Sequence, residues 1–209
     1  MKALIIIDMQ NDFLPGGALE VPGGDEVIPI INGIQQYVDL VVATQDWHPA
    51  DHKSFASNHE GKLRMEVIEL NSLQQTLWPN HCVQGSEGAA FTNLLNMNKV
   101  EAIIRKGVNP EIDSYSGFYD NGHLRSTGLA DYLRGRGIKQ VYFAGLAGDY
   151  CVYFSALDAL AEGFEVMVME DAVRYIDAEK FKDAKADIVA KGGRIINSNE
   201  VKTPMQPFS

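Results

Sequence analysis

The chain has 209 residues, 45% of them hydrophobic and 22% charged, which describes one generous globular domain and excludes a disordered, collagen-like or coiled-coil chain. Its 18 Lys and Arg against 28 Asp and Glu leave a net charge of −10, a poor footprint for a phosphate backbone or an anionic bilayer, so neither nucleic acid nor a membrane is expected as a partner. Its two cysteines, Cys82 and Cys151, stand far apart without a CxxC pair, which indicates neither a disulfide framework nor a cysteine zinc site and fits a reducing cytoplasm.

The first apolar run, residues 3–7, is too short for a membrane span, is interrupted by Asp8 and Asp12, and reads as a strand. An amphipathic helix is expected over residues 25–38, with Val27, Ile28, Ile31 and Ile34 on one face, followed by a second strand at 40–43. Residues 45–98 break the rhythm, being long, rich in His, Asn, Gly and Trp, and periodic only in short pieces such as 91–95; such insertions are often functional. Strands are then expected at 100–104, 140–144, 164–168 and 194–196, with helices between them at 129–134 (capped by Ser126), 152–162 and 178–190 (capped by Asp177). Residues 203–209, with two prolines, read as a peripheral tail or one that docks on a partner subunit. The strand runs are continuously apolar rather than alternating, as suits strands buried on both faces of a parallel sheet, and the β-α alternation implies an α/β layer fold with right-handed crossovers.

In an open parallel sheet ligands collect at the carboxyl ends of the strands, so the first polar residues after each strand are informative. Here they are Asp8, then Asp46 with His48, then Arg105 and Lys106, and finally the Gly145–Cys151 turn. Cys151 sits where that turn hands over to a helix, a position that gives a thiol thiolate character and supplies N–H groups for an oxyanion. Asp8 alone could merely hold a turn, and a lone lysine is commonly solvated, but Lys106 beside Asp8 would assist it as the base partner of Cys151 and lower the thiol pKa by charge. Gln10, two places after Asp8, disfavours an Asp-x-Asp phosphotransfer site. Asp46, His48, His52, His59 and His81 cluster within the insertion and suggest a metal site, with Zn²⁺, Fe²⁺ and Mn²⁺ all suited to it. Pro49 after His48 rules out the zinc-protease helix motif. No GxGxxG, Walker, GxSxG or cysteine-phosphatase signature occurs, so dinucleotide, NTP, serine hydrolase and phosphatase readings fall away. Phe13, Trp78 and Tyr115 stand in expected loops, where they could wall a flat substrate pocket or simply anchor the loops.

Asp8-Met9-Gln10-Asn11-Asp12-Phe13, Gln45-Asp46-Trp47-His48-Pro49, Trp78-Pro79-Asn80-His81-Cys82-Val83, Arg105-Lys106-Gly107, Tyr115-Ser116-Gly117-Phe118 and Gly145 to Val152 together resemble the nicotinamidases of the isochorismatase-like hydrolase superfamily. The resemblance covers nearly the whole chain. It implies a single Rossmann-like three-layer α/β domain over residues 1–209, with a six-stranded parallel sheet and a metal-binding insertion after strand two. It further implies a Cys151-Asp8-Lys106 triad and a divalent metal on Asp46, His48 and His81, zinc first, with iron or manganese as alternatives. Phe13 and Trp78 would flank the substrate ring with Tyr115 nearby, and N–H groups of Ala147 and Cys151 would form the oxyanion hole, with a cis peptide before Ala147. The activity implied is hydrolysis of nicotinamide to nicotinate and ammonia through a Cys thioester, in NAD salvage in the cytoplasm, with pyrazinamide as an analogue substrate and room for a homo-oligomer. Gly148 stands where the family usually has Thr, and an extra metal ligand would come from Ser54, Ser57, His52 or His59. The rival is a cysteine amidohydrolase acting on a carbamoyl or ureido compound, against which the metal set argues because it suits a heteroaromatic nitrogen. Isochorismatase itself lacks the catalytic cysteine, and a non-catalytic binding module on this fold would show no unusual thiol reactivity.

Overall fold

The computed structural model describes residues 1–202, so the tail at 203–209 lies outside the described residues. Six strands, β1 (Lys2–Ile7), β2 (Leu40–Asp46), β5 (Val100–Lys106), β6 (Gln140–Gly145), β7 (Glu165–Val173) and β8 (Arg194–Ile196), form one parallel sheet in the order β5-β2-β1-β6-β7-β8. In central β1 every side chain from Ala3 to Ile7 is fully buried. Leu4 and Ile6 join α1 (Ile28–Ile34) on one face, while Ala3, Ile5 and Ile7 join α2 (Leu129–Gly135), α3 (Cys151–Ala161) and α4 (Ala178–Ala190) on the other. Two cores separated by one sheet make the expected three-layer α/β fold. No helix among the described residues is long and apolar enough to cross a membrane.

Four local expectations need correction. Residues 25–38 do not form one helix: 3₁₀ turns at Gly24–Val27 and Gln35–Tyr37 flank α1, whose first turn contains Pro29, a residue tolerated only where its missing N–H is not needed. Ser126 does not cap α2. The N-cap is Gly128, with φ of +86°, and the Ser126 hydroxyl accepts instead from the Gly128 N–H. The two edge strands are not buried on both faces: β5 leaves Ile103 half exposed, and β8 leaves Arg194 and Ile195 partly exposed. The insertion contains an antiparallel hairpin that its sequence did not suggest, β3 (Val67–Leu70) and β4 (Leu73–Thr76), joined by Asn71 and Ser72, both at positive φ as a type I′ turn requires. Asp177 does cap α4, its carboxylate accepting from the N–H groups of Glu179 and Lys180.

The topology dictates where a site can form. From β1 the chain runs outward through β2 to β5, then returns to β6 on the other side of β1, so the strand order switches direction between β1 and β6. A crevice opens at the carboxyl ends of strands at such a point. Asp8 follows β1, and Cys151 opens α3 after β6.

Candidate active site

Parallel register sets Lys106, the last residue of β5, beside Asp46, the last of β2. The Lys106 ammonium is fully buried and lies 2.6 Å from Asp46 Oδ1, 2.8 Å from Asp8 Oδ2, 3.1 Å from the Ser114 carbonyl oxygen and 3.3 Å from Cys151 Sγ. Asp8, at a φ of +49°, is pinned from β2: Thr44 Oγ1 donates to its Oδ1 at 2.6 Å and accepts from its N–H at 3.2 Å. Its other oxygen has the Lys106 charge nearby but no aligned hydrogen bond, so it is open to receive a proton. The three expected catalytic residues therefore meet, with the ammonium touching all the acidic partners.

Burial raises the Asp8 pKa to about 6, against the pull of Lys106 and with a further push from Asp46. Burial also opposes the charge of Asp46, but Lys106 and His48 outweigh it and hold that carboxyl well below the usual range. The Cys151 thiol departs from expectation. Burial pushes it well above an ordinary thiol, and the carboxylates of Asp8 and Asp46 add to the rise against the opposing Lys106 charge. Helix position alone does not make a resting thiolate here.

Next to this cluster, Asp46 Oδ2 lies 3.6 Å from His48 Nε2 and 3.8 Å from His81 Nε2. Zinc bonds of about 2.0–2.1 Å at tetrahedral angles separate ligand atoms by about 3.4 Å, so these three atoms fit one small cation after slight contraction. Both imidazoles are oriented from behind, because Nδ1 of His48 meets the Gly107 carbonyl at 2.9 Å and Nδ1 of His81 meets the Pro79 carbonyl at 2.8 Å. A carbonyl only accepts, so each Nδ1 carries the proton and each Nε2 presents a lone pair, the arrangement found behind metal-ligating histidines. Of the candidates for an extra ligand, Ser54 Oγ is taken by His52 Nδ1, Ser57 by Asn80 and His59 by the Lys53 carbonyl. His52 keeps a buried Nε2 without a partner and clusters with His48 and Asp113.

Phe13, Trp78 and Tyr115 line the same pocket as Cys151, Asp46, His48 and His81, joined by Tyr150 and Ile176. Tyr115 Oη accepts from Trp78 Nε1 at 3.2 Å, and Tyr150 packs edge-on against both rings, so the wall is mutually braced. Ala147 follows the expected cis peptide. Among the described residues the N–H groups of Ala147 and Cys151 meet no protein acceptor, which leaves both free for an oxyanion.

Two supporting residues escaped the sequence reading. Gln10, part of the first resemblance segment but given no role there, fixes Asp46 from both sides: its Oε1 accepts from the Asp46 N–H and its Nε2 donates to the Asp46 carbonyl, each at 2.8 Å. Gly107, at a φ of +65°, makes room for His48, since a Cβ there would fall 2.2 Å from His48 Cε1. A glycine directly after Lys106 was the only signal for it.

The isochorismatase domain model matches residues 2–200 of the chain. A nicotinamidase of Acinetobacter baylyi is 45% identical over 200 residues, covering 95% of this chain and 94% of that protein. Among solved structures, a nicotinamidase and pyrazinamidase of Acinetobacter baumanii superposes with a TM-score of 0.93 at 45% identity, covering 96% of this chain and 97% of that one. A pyrazinamidase of Pyrococcus horikoshii in complex with zinc superposes with a TM-score of 0.77 at 41% identity, covering 94% and 98%.

Proposed function

The chain belongs to the isochorismatase family, and we propose that within it the protein is a single-domain amidohydrolase over residues 1–209 that converts nicotinamide to nicotinate and ammonia, with pyrazinamide as an analogue substrate, in the NAD salvage of the cytoplasm. The observation that carries this reading is one buried ammonium, Lys106, touching Asp8, Asp46 and Cys151 beside three metal-ligand atoms in one aromatic pocket. Two free thiols suit a reducing compartment.

In this reading Asp8 takes the Cys151 proton as Sγ attacks the carboxamide carbon. The C–S bond forms and the carbonyl π pair moves to oxygen, where the Ala147 and Cys151 N–H groups receive the charge. The oxyanion then collapses, the C–N bond breaks, and the nitrogen leaves as ammonia with the proton held by Asp8. Asp8 next removes a proton from water as it attacks the thioester, and returns it to Cys151 as the C–S bond breaks; the product leaves as the acid and ionises to nicotinate, giving its proton to solvent or to the released ammonia. Lys106 holds both carboxylates in place throughout, keeping Asp46 charged and favouring the ionised form of Asp8 before each proton transfer. Asp46, His48 and His81 would hold a divalent cation, zinc on the precedent of the Pyrococcus relative with iron or manganese as alternatives; when bound it would accept the pyridine-nitrogen lone pair and fix the ring. His52 is the remaining group with an open nitrogen for an additional bond.

Ammonia release from nicotinamide by the purified protein, before and after chelation and metal add-back, tests the assignment. Release that chelation abolishes and metal restores is the expected result. A metal-replete protein that ignores nicotinamide but cleaves carbamoyl or ureido compounds overturns it.

The metal site has its own prediction. Gly107→Ala places a methyl against the His48 ring, and disturbing such outer support typically costs 10–100-fold in metal affinity. Competition with a chromophoric chelator should show at least a tenfold loss, and wild-type affinity would count against Asp46, His48 and His81 as ligands.

A further inference from the structure

We infer that Asp149, which does not line the substrate pocket, is a positioning residue that sets the N–H groups of Ala147 and Cys151 by fastening their turn to the segment leading into α4; the inference rests on the amidohydrolase reading above.

The turn at 146–150 is attached along its length to residues 173–181. The Gly148 N–H donates to the Arg174 carbonyl at 2.7 Å. A Cβ on Gly148 would fall 2.7 Å from both Phe181 Cε2 and Val173 Cγ1, so the α4 ring and the end of β7 fill the space a side chain would need. Asp149 is buried, and each of its carboxylate oxygens takes one backbone donor: Oδ1 accepts from Ile176 at 3.0 Å and Oδ2 from Asp177 at 2.9 Å. Asp177 in turn caps α4, and Ile176 forms part of the pocket wall. One carboxylate thus links the turn that presents the oxyanion donors, the wall of the pocket and the start of a helix of thirteen residues.

That placement matters because oxyanion donors act only when held at hydrogen-bond distance from where the charge develops, and an error near 1 Å costs about a hundredfold in rate. It also defines a clean substitution. Both oxygens of Asp149 face N–H donors, so Asp149→Asn preserves size but turns an NH₂ toward one donor, losing a hydrogen bond and forcing that side of the turn apart.

The test compares wild type, Asp149→Asn and Phe181→Leu, which frees the space beside Gly148 without touching the carboxylate. The probes are pyridine-3-carboxaldehyde and nicotinate. The Cys151 thiol gives its proton to Asp8 and adds to the aldehyde, its C–S bond forming as the π pair moves to an oxygen that faces the Ala147 and Cys151 N–H groups; nicotinate makes no such adduct. Asp149→Asn is expected to weaken aldehyde inhibition and lower kcat by about tenfold or more, while KM for nicotinamide and inhibition by nicotinate stay within twofold. Phe181→Leu should move the same quantities in the same direction by less, and it carries the test if Asp149→Asn does not fold. Equal weakening of aldehyde and nicotinate, or no change in either, overturns the inference. A wild type inert to nicotinamide and aldehyde overturns the amidohydrolase reading instead. In that event, amide hydrogen exchange over residues 147–151 still decides the attachment: tenfold faster exchange in Asp149→Asn supports it, and unchanged exchange refutes it.

Discussion

Cys151→Ala is expected to release ammonia from nicotinamide at least ~10³-fold more slowly than wild type, the scale on which removing a covalent nucleophile acts. Sγ lines the pocket within 4.8 Å of carboxylate oxygens of Asp8 and Asp46, and the only other cysteine, Cys82, is fully buried outside it. The pH profile checks the same chemistry from the side of the base. Burial keeps the resting thiol protonated and raises Asp8 to about 6, so the active form has Asp8 ionised and Cys151 neutral. Turnover should therefore fall as pH drops through about 6, with kcat/KM losing close to a factor of ten per pH unit below it. Had Lys106 and the helix terminus lowered the thiol instead, a resting Cys⁻/Lys⁺ pair would show as thiolate absorbance near 240 nm at neutral pH in wild type and not in Cys151→Ala. A variant within tenfold of wild type, or that absorbance, would require a different nucleophile or a different proton path.

All six strands of the sheet were placed from the sequence, and the central ones most clearly, because a parallel strand buried on both faces must be continuously apolar, as residues 3–7, 40–43 and 141–144 are. β5 obeyed the placement but not the burial, since strand order, which no local pattern encodes, makes it an edge. The hairpin β3–β4 went unseen because Asn71-Ser72 is a weak turn pair and its strands are only four residues long. The side chains proposed to carry the chemistry stood out because scarce residue types recur at strand ends, and the structure brings Asp8, Asp46, Lys106 and Cys151 together. Their supports did not: Gln10, Gly107 and Asp149 act through backbone hydrogen bonds or vacant space, and neither leaves a mark in composition. Nor could position alone give the protonation of Cys151, which depends on burial beside two carboxylates far apart in sequence.

Lys106→Met should both silence the enzyme and destabilise it by ~3–5 kcal/mol at pH 7.5, the cost of leaving buried charges without their partner. The ammonium is the only cation within ion-pair distance of Asp8 among the described residues, and it holds Asp46 as well. Its loss leaves two buried carboxylates facing each other across the space that Met fills. The pH dependence follows from the signs of the shifts. With Lys106 present, Asp46 is held below its ordinary pKa, so it contributes stability above that ordinary value that disappears only on strong acidification. Without Lys106, burial and mutual repulsion raise both carboxyls, and one takes up a proton as the pH falls, relieving the repulsion. The deficit should be full at pH 7.5 and visibly smaller at pH 5, measured by urea unfolding. Lys106→Arg should not repair it, because a planar guanidinium does not fit an enclosure built around a point charge with 2.6–3.3 Å contacts to four atoms. Adding Asp8→Asn to Lys106→Met should recover part of the stability and none of the activity, separating the electrostatic from the catalytic consequence of the same lysine. A deficit that grows on acidification would mean that Asp8 and Asp46 are not the charges Lys106 compensates.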